Sequence, residues 1–166
     1  MEKIKDNVIE LVKKFAVDLP TFSDGRIDYS HAKTAIVVTV FIKFKNKILL
    51  LKRSNKVSTY RGKWNTVAGY IDEIIAVEDK IYEELKEEIG IKKDNIKNFK
   101  LGEPFSFKDN KINRTWIINP AVVELNKKPE IKLDWEHVEY KWIYPKDIDN
   151  FDTVPNLKAS LKEGLF

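Results

Sequence analysis

Residues 69–91, GYIDEIIAVEDKIYEELKEEIGI, carry the densest chemistry in the chain. Ile81, Leu85 and Ile89 recur every four residues, so residues 76–89 read as a helix, and Gly90 supplies its stop. Projected at about 100° per residue, Glu88 falls about 40° to one side of Glu84 and Glu87 about 60° to the other, beside the apolar stripe. Carboxylates spaced this way repel one another, and a bridging divalent cation removes that cost. Oxygen-only donors favour Mg2+ or Mn2+. An isolated E-E-x-x-E-E run is ordinarily a solvated helix face, here with Lys80 and Lys86 as neutralising partners. The flanking sequence therefore decides the reading.

A short strand over residues 66–71 leads into this helix. Before it, residues 35–44 (AIVVTVFIKF) and 48–51 (ILLL) are β-branched and apolar, and Lys45-Asn46-Lys47 between them predicts a hairpin of two buried strands. Residues 53–63 form a polar loop. Beyond the helix, strands are expected over residues 99–107, 114–124 and 140–144, and a final helix over 154–165. At the other end, Ile4, Val8, Ile9, Leu11, Val12 and Phe15 predict an amphipathic helix over residues 2–15. Residues 18–30, with Pro20 and Gly25, read as a linker. Strands mixed with a few helices indicate an α/β domain with a mixed sheet.

Composition narrows the function. A chain of 166 residues with 43% hydrophobic content suits one core. The absence of cysteine excludes disulfides, thiolate metal sites and a cysteine nucleophile. No apolar stretch approaches the ~20 residues that span a bilayer, and the opening Met-Glu-Lys-Ile-Lys-Asp is too charged for a signal peptide. A soluble, cytoplasmic protein is expected. The net charge of +4 is spread over scattered lysines, which suits small anionic ligands and lacks the basic strip of a nucleic-acid binder.

The carboxylate segment resembles the box of the Nudix family, G-x5-E-x7-R-E-U-x-E-E-x-G-U, where U is a bulky aliphatic residue. Gly69, Glu84, Leu85, Glu87, Glu88, Gly90 and Ile91 meet seven of its nine specified positions. Residues 62–69, GKWNTVAG, resemble the family's approach to the box, with Ala68 where a first glycine is usual, and residues 139–142, EYKW, look like its late strand. The resemblance implies a Nudix-like α/β/α sandwich with a mixed sheet. It implies a Nudix domain over residues 34–166, with residues 1–33 as a helix and linker packed on it.

The resemblance also implies divalent-metal-dependent hydrolysis of a nucleoside diphosphate linked to another moiety, or of a related nucleotide. A Nudix-fold sensor that binds nucleotide without turnover is the alternative. An isoprenyl diphosphate isomerase reading needs a cysteine that this chain lacks. The expected partner is a small nucleotide or diphosphate compound, with neither membrane nor nucleic acid indicated and a homodimer compatible with the sequence.

Family resemblance assigns Glu84 and Glu88 as principal metal ligands. Glu87 is a further ligand or acts catalytically through water, and the Gly69 carbonyl contributes. Glu136, in Trp135-Glu136-His137, is the favoured base outside the box, while His137 reads as a surface histidine. Arg53, Arg61 and Arg114 are candidate phosphate contacts because guanidinium forks fit phosphate oxygens. Tyr60, Trp64, Phe105, Phe107 and Trp116 are candidates for base stacking, although strand aromatics are ordinarily core. Two positions depart from the box: Ile75 replaces its first glutamate and Glu83 its arginine. Asp72, Glu73 and Glu78 lie close enough in sequence to supply the missing acid.

Overall fold

The computed structural model describes Glu2–Lys3 and residues 7–165, with side chains described over residues 7–164. Helix α1 spans Val8–Phe15, shorter than the periodicity suggests. Asn7 explains the late start: its side chain accepts from the Glu10 N–H while the Glu10 carboxylate accepts from the Asn7 N–H, a capping box. Upstream, Glu2–Lys3 form a strand, β1, where a helix is expected. Ile4 lies outside the described residues.

The remaining strands are β2 (Thr34–Phe44), β3 (Lys47–Arg53), β4 (Trp64–Asn65), β5 (Val67–Tyr70), β6 (Ile96–Leu101), β7 (Phe105–Asp109), β8 (Arg114–Leu125) and β9 (His137–Ile143). Helix α2 is Val77–Ile89 and α3 is Leu157–Leu165. The sheet runs β1-β7-β8-β2-β3-β4, with β5 added to β2, β6 to β8 and β9 to β3. Only β2 and β8 pair in parallel among the described strands, so the sheet is mixed.

The β2–β3 hairpin closes at Phe44↔Lys47 and Lys43↔Ile48, then opens. Beyond the opening β2 takes β5 as its neighbour, from Val40↔Val67 to Val37↔Tyr70. Buried Thr66 holds the fork, its hydroxyl donating to the Val40 carbonyl at 2.7 Å. The expected strand over residues 99–107 is two strands, because Gly102-Glu103-Pro104 interrupts it. Pro104 has no N–H to give a ladder, and a Cβ on Gly102 would overlap the Glu163 backbone of α3.

Alternation on the strands separates two cores. Ile36, Val38, Val40 and Ile42 of β2 and Leu49 and Leu51 of β3 pack with Leu11 and Val12 of α1 and with Ile81, Leu85 and Ile89 of α2. Phe41, Ile48 and Leu50 face the other way, against Trp64, Ile143, Val154 and the α3 residues Leu157 and Leu161. Helices thus cover both faces, with α2 laid across the layer that contains β5. No helix among the described residues is long and apolar enough to cross a membrane.

Candidate active site

Helix α2 is fixed by three fully buried residues, Ile81, Leu85 and Ile89, and ends at Gly90 in the left-handed conformation, φ 71°. Its last carbonyls need partners from outside the helix. Two come from the loop before β9: Lys132 N–H donates to the Ile89 carbonyl and Asp134 N–H to that of Glu88, both at 3.2 Å. The same loop is tied to the end of β3, where Ser54 N–H donates to the Glu136 carbonyl at 2.7 Å. These bonds bring Glu136 over the carboxylate face of α2.

Glu84 and Glu88 are 8% and 2% exposed. Burial pushes the Glu84 carboxyl up to about 7; Lys80 pulls against that shift while Glu87 and Glu136 add to it. Glu88 is pushed well above the ordinary range by burial, then by Glu84, Glu136 and Asp134, with the Ala68 N–H opposing. Among the described residues its Oε2 has no hydrogen-bond partner. Burial also raises Glu136, with Asp134 and Glu87 adding and Arg53 opposing.

Gly69 lies directly under the Glu84 carboxyl, and any Cβ there would overlap it. Lys80, only 3% exposed, approaches Glu84 Oε1 at 3.0 Å, Asp72 Oδ1 at 3.1 Å and Glu83 Oε2 at 3.6 Å. Burial alone would push this ammonium down, but Glu84 and Asp72 more than reverse that and raise it. Among the described residues no three His, Asp or Glu side chains form a ready metal cage. Lys80 sits among the acids instead.

The site opens into a cleft of about 350 Å³. Arg53, Glu84, Glu87 and Glu136 line one part of it, and Tyr60, Tyr70, Phe107 and Trp116 form an aromatic wall. Tyr70 stacks between Tyr29 and Trp116, with centroids 5.2 and 6.2 Å away. Trp116 Nε1 donates to the Tyr60 hydroxyl, which donates to Asp109 at 2.7 Å.

The sequence of residues 32–163 matches the NUDIX domain family, over most of the chain and across this site. The chain belongs to the Nudix family. Nudix and MutT structures share its fold. A MutT protein from Methanosarcina mazei Go1 superposes with a TM-score of 0.65 at 23% identity, covering 80% of this chain and 93% of that one. A C. elegans Ap4A hydrolase gives 0.62 at 18% identity, covering 78% and 93%. The NUDIX domain of Shewanella oneidensis NrtR, complexed with ADP ribose, gives 0.64 at 14% identity, covering 78% and 87%. No curated protein matches the sequence.

The Nudix box residues Gly69, Glu84 and Glu87 meet on the cleft wall with Glu136, and Glu88 lies buried behind them. Arg53 joins them, its Nε donating to the Thr59 carbonyl at 3.0 Å. Arg61 does not: it is exposed, its Nε bonds the Val57 carbonyl at 2.8 Å, and it is absent from the cleft lining. Arg114 is also away from the lining. Its guanidinium donates to the carbonyls of Tyr29, Ser30 and Ala32 and to the Tyr70 hydroxyl, so it braces the segment before β2.

His137 is 5% exposed, contrary to the expected surface position, and Asp134 Oδ1 lies 3.2 Å from its Nδ1. Trp64 and Phe105 belong to the cores, whereas Tyr60, Phe107 and Trp116 reach the cleft. Trp135, next to Glu136, lines the cleft, as do Arg26 and Tyr70, which the sequence did not single out. Nothing in the local pattern marks them, because they reach it from separate segments.

Proposed function

We propose that this Nudix protein is a divalent-metal-dependent hydrolase acting on a phosphoanhydride bond in a nucleoside diphosphate linked to another moiety, or in a related nucleotide. The observation that carries the reading is Glu88. An ionised carboxylate buried, among the described residues, without a partner for one oxygen, beside Glu84 and Glu136, costs stability that a bound cation would relieve. The donors are all oxygen, which fits Mg2+ or Mn2+.

Glu84 and Glu88 would hold the metal, with Glu87 and the Gly69 carbonyl as further contributors. When bound, the metal would neutralise charge developing on the phosphate oxygens. Glu136 would take a proton from the attacking water, and its raised affinity for protons suits a base near neutral pH. Arg53 presents a fixed cation to phosphate oxygens. The aromatic lining of Tyr60 and Phe107 suits a flat base, and the cleft volume falls in the range of small-ligand sites.

A sensor that binds nucleotide without turnover is the second reading, favoured by the Lys80 ammonium against Glu84. The test is a panel of dinucleotides, nucleotide sugars, ADP-ribose and nucleoside triphosphates with Mg2+ and Mn2+, scored for released phosphate products. Metal-dependent turnover of one class supports the hydrolase. Saturable binding without turnover supports the sensor, and the absence of both sinks the two readings together.

A further inference from the structure

The box of this chain lacks an acid at residue 75 and a cation at residue 83, eight positions apart. An acid and a cation eight positions apart are nonetheless in contact: Asp72 and Lys80, at 3.1 Å. Both members are displaced by three residues toward the N-terminus, less than one helical turn.

The surroundings show what the pair does. Lys80 has three N–H donors and a compact charge, and burial makes good partners obligatory. It meets Oδ1 of Asp72 and Oε1 of Glu84, so one oxygen of Glu84 is taken and the carboxyl is held over Gly69. Asp72 is itself anchored from outside the family-matched region. The Ile27 N–H donates to its carbonyl at 2.8 Å, Arg26 approaches its Oδ2 at 3.7 Å, and the Tyr29 hydroxyl bonds the neighbouring Ile71 carbonyl at 2.6 Å.

Resting on the hydrolase reading, we infer that Asp72 and Lys80 supply, three residues upstream, an acid–cation pair that Ile75 and Glu83 cannot form, and that Lys80 is the positioning residue that orients Glu84 toward the metal. Because Asp72 and Lys80 carry opposite charges, replacing both by neutral residues leaves the net charge unchanged. Lys80 touches Glu84 and Asp72 does not, so the charge change nearest the metal would favour binding, and a fall in metal affinity then reports orientation rather than attraction.

The experiment is Mn2+ calorimetry on the full chain. Asp72→Asn with Lys80→Met is expected to weaken Mn2+ binding about tenfold or more, the usual scale for losing a group that orients a ligand. Lys80→Arg should retain near-native affinity. Adding Ile75→Glu and Glu83→Arg to the neutral double variant should recover most of the loss. Native-like affinity in the neutral double variant overturns the inference while leaving the metal site intact. No saturable Mn2+ binding by the native chain overturns the hydrolase reading and this inference with it. If the double variant does not fold, Lys80→Gln alone decides: removing a cation would by attraction alone raise Mn2+ affinity, so a fall supports the inference and an unchanged or raised affinity overturns it.

Discussion

Glu88→Gln should stabilise the metal-free protein, the reverse of what a change at a fully buried residue usually does. The carboxylate is 2% exposed with Oε2 unpartnered, and leaving such a group unsatisfied costs about 1–3 kcal/mol. Gln keeps the size, removes the charge and brings two N–H donors among acids. For a domain of this length the gain corresponds to a rise of about 5 °C in the melting temperature.

The pH dependence has a definite sign. Glu88 binds protons more tightly folded than unfolded, so its penalty is absent below its ordinary value of 4.5 and grows as pH rises above it. In chelator the stabilisation should therefore be nearly gone at pH 4.5 and grow as the pH rises from there. Thermal melts with and without Mn2+ provide the assay, and the variant should also lose the Mn2+-induced rise expected of the native chain. A variant less stable than native in chelator at pH 8, or one that Mn2+ still stabilises fully, would refute the argument.

Gly69→Ala should displace the Glu84 carboxyl, the movable end of a side chain, leaving stability within about 1 kcal/mol while Mn2+ affinity falls about tenfold by calorimetry. Glu136→Gln should lower kcat about a hundredfold with KM nearly constant, which steady-state kinetics on the substrate found by the panel will read. Arg114→Ala removes donors to three carbonyls and the Tyr70 hydroxyl, so urea unfolding should show a loss of about 2–4 kcal/mol; normal stability would mean the brace is idle. Ile75→Glu with Glu83→Arg in the native chain should change turnover less than about tenfold, because Lys80 already provides the cation, whereas a hundredfold gain would expose an impaired box.

The box helix and the buried strands β2 and β3 were legible because their signals are local, whereas the composition suggests one core and the fold has two. Ile81, Leu85 and Ile89 state a helical period, and the residues of β2 and β3 alternate between two apolar faces. The split at Gly102-Glu103-Pro104 was legible in principle, since proline and glycine are named breakers, but the apolar run on either side masked it. Arg114 illustrates what was not legible. A lone arginine at the start of a strand reads equally as phosphate contact or brace, and only the fold reveals that the Tyr29, Ser30 and Ala32 carbonyls surround it. The burial of His137 follows from the loop's bonds to the end of α2, which join segments distant in sequence.

Lys80 shows most clearly how a local reading turns over. In sequence it stands four residues before Glu84, the spacing of an ordinary surface pair worth a few tenths of a kcal/mol. In the fold it is 3% exposed, so the same pair lies where water cannot compensate either charge. A buried ammonium is retained only if its partners stay fixed, and those partners are one acid of the box and one acid of the preceding loop. The loop acid is held in turn by Arg26 and Ile27, which precede the family-matched region. The segment before β2 is therefore coupled to the carboxylate that faces the cleft. Losing contacts around Asp72 would loosen Lys80 first and Glu84 next, so damage to this segment should appear as weakened metal binding before any loss of fold.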